Sequence, residues 1–589
     1  MTEATAIRQP QPTNQSATLF YQVAMSQPAS HLFEITLQVN NWDSTTLDLK
    51  MPVWTPGSYL VREYAKQVQD FVAENKQGQI LASHKVSKNH WQIATDGNSN
   101  VVIKYRVFAN ELTVRTNHLD ATHGYFNGAA LFLFVPGLEQ KPIKVRVIPP
   151  QTDWQVTTTL PAVAEENNTF IAPDFDTLVD TPVEIGTQQI YNFEVLGKPH
   201  VWAVWSKGNA KVDRIIEDTT KIIEVEAEIF DGLPYEKYLF LLHLSGSGYG
   251  GLEHKDSCTL NYPRFGFRDR EKYERFIQLV AHEFFHTWNV KRIRPQALEK
   301  FNYEAENYTT SLWFCEGTTS YYDILIPLRA GIYNRKAYLK SLTKDINKYL
   351  NTPGRKVQSL GESSHDAWIK LYRRDANSDN NQISYYLKGQ LVSLLLDLLI
   401  RAKHHNKRSL DDVMRLMWQR FGRDEVGFSE TQLRNTIAEV AGENLDDFFY
   451  RYIETTAELP FNDYLDSFGL YLKTVEESDL PYMGIRVQSE NNQEIIQYVA
   501  AQSPAAIAGI DAQDELLAID GIKVNAASLN DRLKDYQAEN TIQVTVFHQD
   551  ELKTLAVTLA KPQPSSYEVA IKDNLSTTQQ QNLTGWLGK

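Results

Sequence analysis

The chain has 589 residues, too many for a single hydrophobic core, so several domains are expected. A hydrophobic content of 42% with 11% aromatic residues is typical of globular domains and excludes a mainly disordered chain. The formal net charge of −14, without a long basic block, argues against nucleic acid or an anionic membrane as the main partner.

Cysteine content and apolar runs bear on the compartment. Cys258 and Cys315 are the only cysteines, so no disulfide framework is expected and a reducing compartment is favoured. The most apolar run, Leu391 to Ile400, contains Asp397 and is too short to cross a membrane. Residues 1–15 are polar and lack the apolar core of a signal peptide. These features predict a cytoplasmic protein with a disordered tail over 1–15 and no membrane span.

Residues 16–190 have the pattern of half-buried strands. Apolar and polar side chains alternate over short segments such as 33–39 and 101–107, and turns rich in Asn, Gly and Pro separate them. We predict a β-rich, sandwich-like N-terminal domain. Its segment 115–128 is unusually polar and aromatic. Two interpretations stay open: a loop whose polar groups are hydrogen-bonded within the domain, or one wall of an active-site cleft.

Residues 191–460 form the next predicted domain, which is mainly α. A β-like run at 239–244 is followed by a glycine-rich loop and an edge strand, and apolar residues then recur at three- and four-residue spacing. Helices are predicted near 212–230, 269–290, 309–325, 335–350, 385–404, 409–421, 429–441 and 445–454, with Ser409, Ser429 and Asn444 as caps.

The composition changes again after Pro460. Residues 461–562 contain short strands and turns, including a short helix at 503–510 and a strand that enters an Asp-Gly turn at 520–521. Residues 563–589 form a polar tail with a small apolar patch, which either docks on the body or frays. The whole chain is therefore predicted to be a multidomain α+β protein.

The strongest chemical signal is His-Glu-x-x-His at residues 282–286, inside an apolar helical segment. Residues four apart share one face of a helix, so the imidazoles of His282 and His286 can bind one metal ion. Glu283 lies one position round and can reach a water molecule on that metal. The alternative is a helix with two incidental histidines.

A catalytic zinc ion takes three protein ligands and keeps one open position, so a third ligand has to come from elsewhere in the chain. Glu316, on the next predicted helix, is our candidate. Without other evidence, Glu316 has a second interpretation, as a solvated or ion-paired carboxylate.

Several motifs together resemble a known family. Leu-Trp-Phe-Cys-Glu-Gly at 312–317 resembles the Leu-Trp-x-x-Glu-Gly of the aminopeptidase N family, in which the Glu is the third zinc ligand. Residues 250–254 are similar to its Gly-x-Met-Glu-Asn segment, and residues 386–389 to its Tyr-Glu-Lys-Gly segment. The longer gap between the helix motif and Glu316, together with the C-terminal module, more closely resembles the glycyl aminopeptidase family, the PDZ-bearing relatives of aminopeptidase N and thermolysin.

The resemblance implies a thermolysin-like peptidase domain with one Zn²⁺ ion on His282, His286 and Glu316. Zinc lowers the pKa of a bound water to about 7 and polarises the scissile carbonyl. Glu283 would take the proton of that water and return it to the leaving amine.

Further residues gain roles from the same resemblance. Tyr386 would donate a hydrogen bond to the developing oxyanion, with Tyr385 as the rival candidate. Glu253 would bind the free α-ammonium of a peptide substrate, beside Gly250 and Gly251. Cleavage would then remove N-terminal residues, and the family implies a preference for Gly or Ala.

Residues 461–562 resemble a PDZ domain, with 482–485 at the carboxylate-binding loop. Binding of a peptide C-terminus and a structural or cleft-gating role are both open. Our first hypothesis is a zinc aminopeptidase. The alternatives are a PDZ-type peptide-binding scaffold with a vestigial peptidase domain, and an endopeptidase that uses the same zinc site.

Overall fold

The computed structural model describes residues 18–476, 480–563 and 566–588. The predicted tail over 1–15 lies outside the described residues. The chain divides into two compact units, one formed by Met1–Asn307 with Phe421–Gly427 and the other by Tyr308–Arg420 with Phe428–Lys589.

The first unit begins with three β-sheets and one short helix. Their strands lie in the orders β12-β10-β1-β2-β7-β4, β3-β6-β5 and β11-β13-β9-β8. The elements are β1 Thr18–Ala24, β2 Leu32–Asn40, β3 Thr46–Lys50, β4 Val68–Asn75, β5 Ser83–Ser87, β6 His90–Ala94, β7 Asn100–Phe108, β8 His118–Leu119, β9 His123–Phe126, β10 Ile143–Ile148, β11 Gln155–Thr157, β12 Thr169–Ala172, α1 Phe175–Val179 and β13 Val183–Gly186.

Alternating burial organises this β-rich domain, as predicted. β2 and β7 pair antiparallel with Ile35 opposite Tyr105. Every second residue of β2 is buried, so one face of the strand packs on the core while the other is partly accessible. β1 pairs with β10 in parallel and with β2 in antiparallel orientation, which makes the six-stranded sheet mixed.

The first unit continues with a five-stranded sheet in the order β14-β15-β16-β18-β17. Strands β15, β16 and β18 are parallel, and β17 pairs antiparallel with β18 at the edge. The elements are β14 Gln189–Val195, β15 Lys198–Trp205, α2 Val212–Phe230, β16 Tyr238–Ser245, β17 Gly250–Glu253, β18 Ser257–Pro263 and α3 Arg270–Phe285.

Helix α3 carries the His-Glu-x-x-His motif on its last turn. It begins after Asp269, whose carboxylate caps the helix by accepting a hydrogen bond from the Lys272 amide. It ends at Phe285 rather than near 290: residues 286–288 form turns, and Val290, with a φ of 133°, lies outside the helical region.

The second unit starts with helices. The helix predicted over 309–325 begins later, because residues Trp313–Thr318 form a π-helical turn before it. Asn444 is not the N-cap of its helix: Leu445 holds that position, and the Asn444 side chain accepts a hydrogen bond from the Asp446 amide. The helices are α4 Thr319–Arg329, α5 Arg335–Leu350, α6 Leu360–His365, α7 Ser378–Asn381, α8 Tyr385–His404, α9 Leu410–Met417, α10 Glu430–Ala441, α11 Asp446–Phe449 and α12 Phe461–Leu465.

The second unit ends in a small β-rich module and a docked C-terminal segment. Leu583, Trp586 and Leu587 are buried, and the Trp586 indole donates a hydrogen bond to the Tyr321 hydroxyl, so the C-terminal patch docks. The elements are β19 Leu470–Glu476, β20 Ile485–Glu490, β21 Gln493–Val499, α13 Pro504–Ala508, β22 Glu515–Ile519, β23 Ile522–Lys523, α14 Leu529–Leu533, β24 Thr541–His548, β25 Glu551–Thr558, β26 Ser566–Ile571 and α15 Thr577–Leu587.

The segment Ser378–His404 is the one stretch of the described chain that is long and apolar enough to be a candidate membrane span. Within it, 83% of the most apolar window is buried inside the protein, as in a core helix. Its Asp397 is fully buried and accepts hydrogen bonds from the Tyr321 hydroxyl at 2.5 Å, the Arg401 guanidinium at 2.8 Å and the Leu410 amide at 2.8 Å. The carboxylate therefore ties α8 to α4 and α9.

Replacing this carboxylate tests its contribution to stability. Asp397→Leu leaves the buried Arg401 without its counter-charge, so we expect the free energy of unfolding of the second unit to fall by about 3 to 5 kcal/mol. Glu439→Ala, which removes a solvent-exposed ion pair with Arg420, should leave it nearly unchanged. Urea unfolding followed by tryptophan fluorescence measures both, and equal losses would contradict the assignment.

Candidate active site

The two histidines of α3 present their rings together. The ring centroids of His282 and His286 lie 4.7 Å apart with their planes at 86°. The Nδ1 atom of His286 lies 2.6 Å from the backbone carbonyl oxygen of Asn289. An N–H at this position donates to the carbonyl and makes Nε2 the acceptor nitrogen of the ring, which is how metal-binding histidines are usually oriented.

Two carboxylates stand beside His286. Ligand atoms of Glu253, Glu283 and His286 lie within 4.8 Å of one another, and all three residues are buried. The Oε1 atom of Glu253 has no hydrogen-bond partner among the described residues. A buried carboxylate oxygen in that state is suited to receive a cationic group.

The edge strand β17 lies directly against Glu283 of the motif. A Cβ atom on Gly251 would lie 2.1 Å from Oε1 of Glu283, so only glycine leaves room for this carboxylate. Gly251 and Glu253 are two residues apart and point to the same face of the strand. One face of β17 therefore has both the space at Gly251, where the Glu283 carboxylate packs, and the carboxylate of Glu253.

The N-terminal domain reaches this strand at two places. Gly57 has a φ of 84° and packs so closely that a Cβ would lie 2.5 Å from Oε1 of Glu253. The Arg115 guanidinium donates a hydrogen bond to the Gly251 carbonyl at 3.2 Å and lies near Gly250. Segment 115–128 thus contacts β17 through Arg115, as the cleft-wall interpretation requires, while its histidines lie inside the domain.

In the second unit, Glu316 and Tyr386 lie near each other. Glu316 is 1% exposed on the π-helical turn Trp313–Thr318. A Cβ on Gly317 would lie 2.5 Å from the Cα of Gly389, so these two glycines let the turn touch the first turns of α8. Burial, followed by the Glu316 carboxylate, raises the pKa of Tyr386 well above its usual value, which keeps the hydroxyl protonated.

The two adjacent tyrosines differ in accessibility. Tyr385 is fully buried, whereas Tyr386 is partly exposed and its hydroxyl lies 3.0 Å from that of Tyr372. The Tyr385 hydroxyl bonds only weakly to Tyr372, at 3.4 Å. Tyr386 is therefore the more accessible of the two residues.

Sequence reasoning did not find Asn289 or Tyr372. The contribution of Asn289 is a backbone carbonyl, which has no signature in the side-chain pattern, and Tyr372 is one tyrosine among 29. The structure brings together His282, Glu283, His286, Glu253 and the Gly250–Gly251 pair in the first unit, and Glu316 with Tyr386 in the second.

Comparison with known proteins adds the family. A family model of the peptidase M61 N-terminal domain matches residues 20–187, one of M61 glycyl aminopeptidase matches 275–392, and one of the PDZ domain matches 481–559. The crystal structure of an aminopeptidase N family protein from Idiomarina loihiensis superposes with a TM-score of 0.90 and 31% identity over 97% of this chain and 100% of that chain. This chain belongs to the M61 glycyl aminopeptidase family. It is a metallopeptidase with a multidomain α+β fold and a PDZ domain, as predicted.

Two further solved structures are less similar to this chain. An M1 zinc metallopeptidase from Deinococcus radiodurans has a TM-score of 0.48 and 12% identity over 75% of this chain and 96% of that chain. Native yeast LTA4 hydrolase has a TM-score of 0.45 and 14% identity over 76% of this chain and 69% of that chain. At these values neither likeness informs the activity of this glycyl aminopeptidase family member. No curated protein matches the chain.

The close approach at Gly251 gives a test in this M61 peptidase. Gly251→Ala places a methyl group where the Glu283 carboxylate lies, so the carboxylate must move, and we expect kcat/KM for peptides to fall by about 100-fold or more. Gly246→Ala is the matched control, because a Cβ there meets nothing within 4 Å. Far-ultraviolet circular dichroism should be unchanged in both variants. Full activity of Gly251→Ala would contradict the packing described.

Proposed function

We propose that this chain is a zinc-dependent aminopeptidase that removes N-terminal residues, small ones such as Gly or Ala, from peptides. One observation carries the proposal: the His282–His286 motif lies against an edge strand whose Glu253 has a buried oxygen without a hydrogen-bond partner in the described chain. The first feature suits metal-assisted hydrolysis, and the second suits a free α-ammonium.

The donor set fits zinc. His286 is oriented by the Asn289 carbonyl, and the ring of His282 stands beside it. We assign the third ligand to Glu316, because its motif matches the family and two imidazoles with one carboxylate form a common catalytic zinc set. When bound, a single zinc ion supplies a Lewis acid that polarises a carbonyl and lowers the pKa of water to about 7.

The proton transfers belong to the chain itself. Glu283 packs on the Gly251 backbone, which holds its carboxylate beside His286, where it takes a proton from the attacking water and passes it to the leaving amine. Tyr386 keeps its hydroxyl proton and donates it in a hydrogen bond to the oxyanion, a contact typically worth about 3 to 4 kcal/mol of barrier.

Strand β17 is the proposed substrate platform. Among the described residues it pairs with β18 on one side only, so a peptide can add to the free edge of the sheet. The carboxylate of Glu253 then meets the peptide's ammonium group. A small pocket beside Glu253 is lined by Trp54, Tyr59 and Phe301, which supports a preference for small N-terminal residues.

We also propose that the PDZ domain binds peptide C-termini. Strand β20 follows the 482–485 loop and pairs with β21 alone among the described strands, which leaves an edge for an added strand. Asn380, shortly before α8, accepts a hydrogen bond from the Tyr498 hydroxyl and donates one to the Val499 carbonyl. The domain is thereby joined to the segment that leads to Tyr386.

The base is tested by Glu283→Gln. The amide keeps the shape of the side chain but cannot accept the proton of water, so we expect kcat to fall by about 1,000-fold or more with metal content and fold unchanged. Glu271→Gln, an exposed position on the same helix, is the control and should keep full activity. Turnover of glycine and alanine p-nitroanilides measures both. Undiminished turnover in Glu283→Gln would refute the proposal, whereas the absence of chelator-sensitive turnover in the unaltered chain would favour the scaffold role.

The ammonium anchor is tested by Glu253→Gln. Loss of a charge-assisted hydrogen bond is worth roughly 1.5 to 3 kcal/mol, so kcat/KM for peptides with a free N-terminus should fall about 10- to 100-fold. The unaltered chain should not cleave the same peptides after N-acetylation. Efficient cleavage of acetylated peptides, unaffected by the substitution, would show an endopeptidase.

A further inference from the structure

A second group of imidazole and carboxylate side chains lies in the first unit, outside the site on α3 and β17. It consists of His123 on β9, Glu184 on β13 and His243 on β16, each no more than 1% exposed. Their ligand atoms lie within 4.8 Å of one another. Strands β9 and β13 belong to the four-stranded sheet and β16 to the five-stranded sheet, so the group joins the N-terminal domain to the sheet that contains β17.

The distances within the group are those of ligands that almost share one ion. The Oε2 atom of Glu184 lies 2.8 Å from Nε2 of His243, and its Oε1 atom lies 3.9 Å from Nε2 of His123. Zinc bonds of about 2.0 to 2.2 Å place neighbouring ligands about 3 to 3.5 Å apart. Shifts of about half an ångström would bring both Glu184 distances to this spacing, and the ligand atoms of the two histidines already lie within 4.8 Å of each other.

The group also contains buried polar atoms without partners. Within the described chain, neither ring nitrogen of His123 has a hydrogen bond, and the same holds for Oε1 of Glu184 and Nδ1 of His243. Native proteins rarely leave such atoms unpaired. Imidazole nitrogens and carboxylate oxygens are donor atoms that a transition-metal cation binds.

Charge favours a cation over a water molecule as the occupant. Glu184 is 1% exposed, and the ligand atoms of His123 and His243 lie within 4.8 Å of its carboxylate. A water molecule could bridge Glu184 and His123, but it brings no charge to balance the carboxylate. A divalent cation would both fill the gap and stabilise the ionised form.

Aromatic neighbours fix the rings. Trp205 stacks on His123 with a centroid distance of 3.6 Å and an interplanar angle of 18°. Tyr125 meets His243 edge-on at 4.8 Å, and its hydroxyl is held by Thr259 at 3.0 Å. The imidazoles are thus held in place without hydrogen bonds to their free nitrogens, as a prearranged ligand set requires.

His118 and Asp120 extend the polar group toward the protein surface. The His118 ring centroid lies 4.8 Å from that of His123, and the Nε2 atom of His118 lies 3.2 Å from the Asp120 carboxylate. The Asp120 side chain is 32% exposed.

We propose that His123, Glu184 and His243 form a second site, for a structural divalent cation of the zinc class, distinct from the ion at α3. Two imidazoles and a carboxylate select zinc over the harder magnesium and calcium ions. Because the ligands are closed off from solvent, the ion would tie β9 and β13 to β16 and would not act on substrate.

The test uses the full chain with His282→Ala and His286→Ala, so that the α3 ligands are removed. The metal-free protein is titrated with Co²⁺, followed by visible absorption, and zinc retained after dialysis is measured by mass spectrometry. We expect one tightly bound equivalent in this background and two in the unaltered chain. A folded double variant that binds no ion would overturn the proposal.

Ligand variants then locate the remaining equivalent. His123→Gln and Glu184→Gln, each added to the double variant, should abolish it. His200→Gln is the matched control, since His200 is equally buried but its nitrogens bond the Lys198 carbonyl and the Tyr235 hydroxyl. An equivalent that survives both ligand substitutions would also overturn the proposal.

A second measurement covers the case in which a buried ligand variant does not fold. Zinc added to the metal-free double variant should raise its thermal midpoint by several degrees, because binding to the folded state alone stabilises that state. The absence of any shift at saturating zinc would reject the site.

Discussion

The close approach of helix α3 to the edge strand β17 is the constraint on which the candidate site in the first unit depends. Gly251 has no side chain at the point where the Glu283 carboxylate packs, so the base is held by backbone rather than by a movable neighbour. Glu253 follows on the same face of the strand. The spacing between the proposed general base, Glu283, and the proposed substrate anchor, Glu253, is therefore set by the geometry of one strand.

The second unit also contains a close contact that depends on glycine. Gly317 follows the proposed ligand Glu316, and Gly389 follows Tyr386 by less than one helical turn; their contact lets the π-helical turn touch α8. A larger side chain at either glycine would move the carboxylate, the tyrosine or both. The Glu-Gly and Lys-Gly pairs in the two motifs thus have one physical explanation, a backbone contact that needs both glycines.

Burial distinguishes the two imidazole and carboxylate sets of the first unit. At α3, His282 is partly exposed, and β17 is the edge strand that we propose as the platform for a peptide. At β9, β13 and β16, His123, Glu184 and His243 are sealed from solvent. The same donor types therefore suit a catalytic ion in one place and a structural ion in the other.

The sequence by itself determined the family, the fold class and most helices, because helical periodicity and the spacing of His282, Glu283 and His286 are local properties of the chain. The domain bounds, the roles of the site residues and the cytoplasmic location stay predictions. The tertiary structure alone decided that Gly251 faces Glu283, that Tyr386 rather than Tyr385 is accessible, and that distant histidines and a glutamate meet inside the first unit. Such contacts depend on the packing of separate elements, which no local pattern encodes.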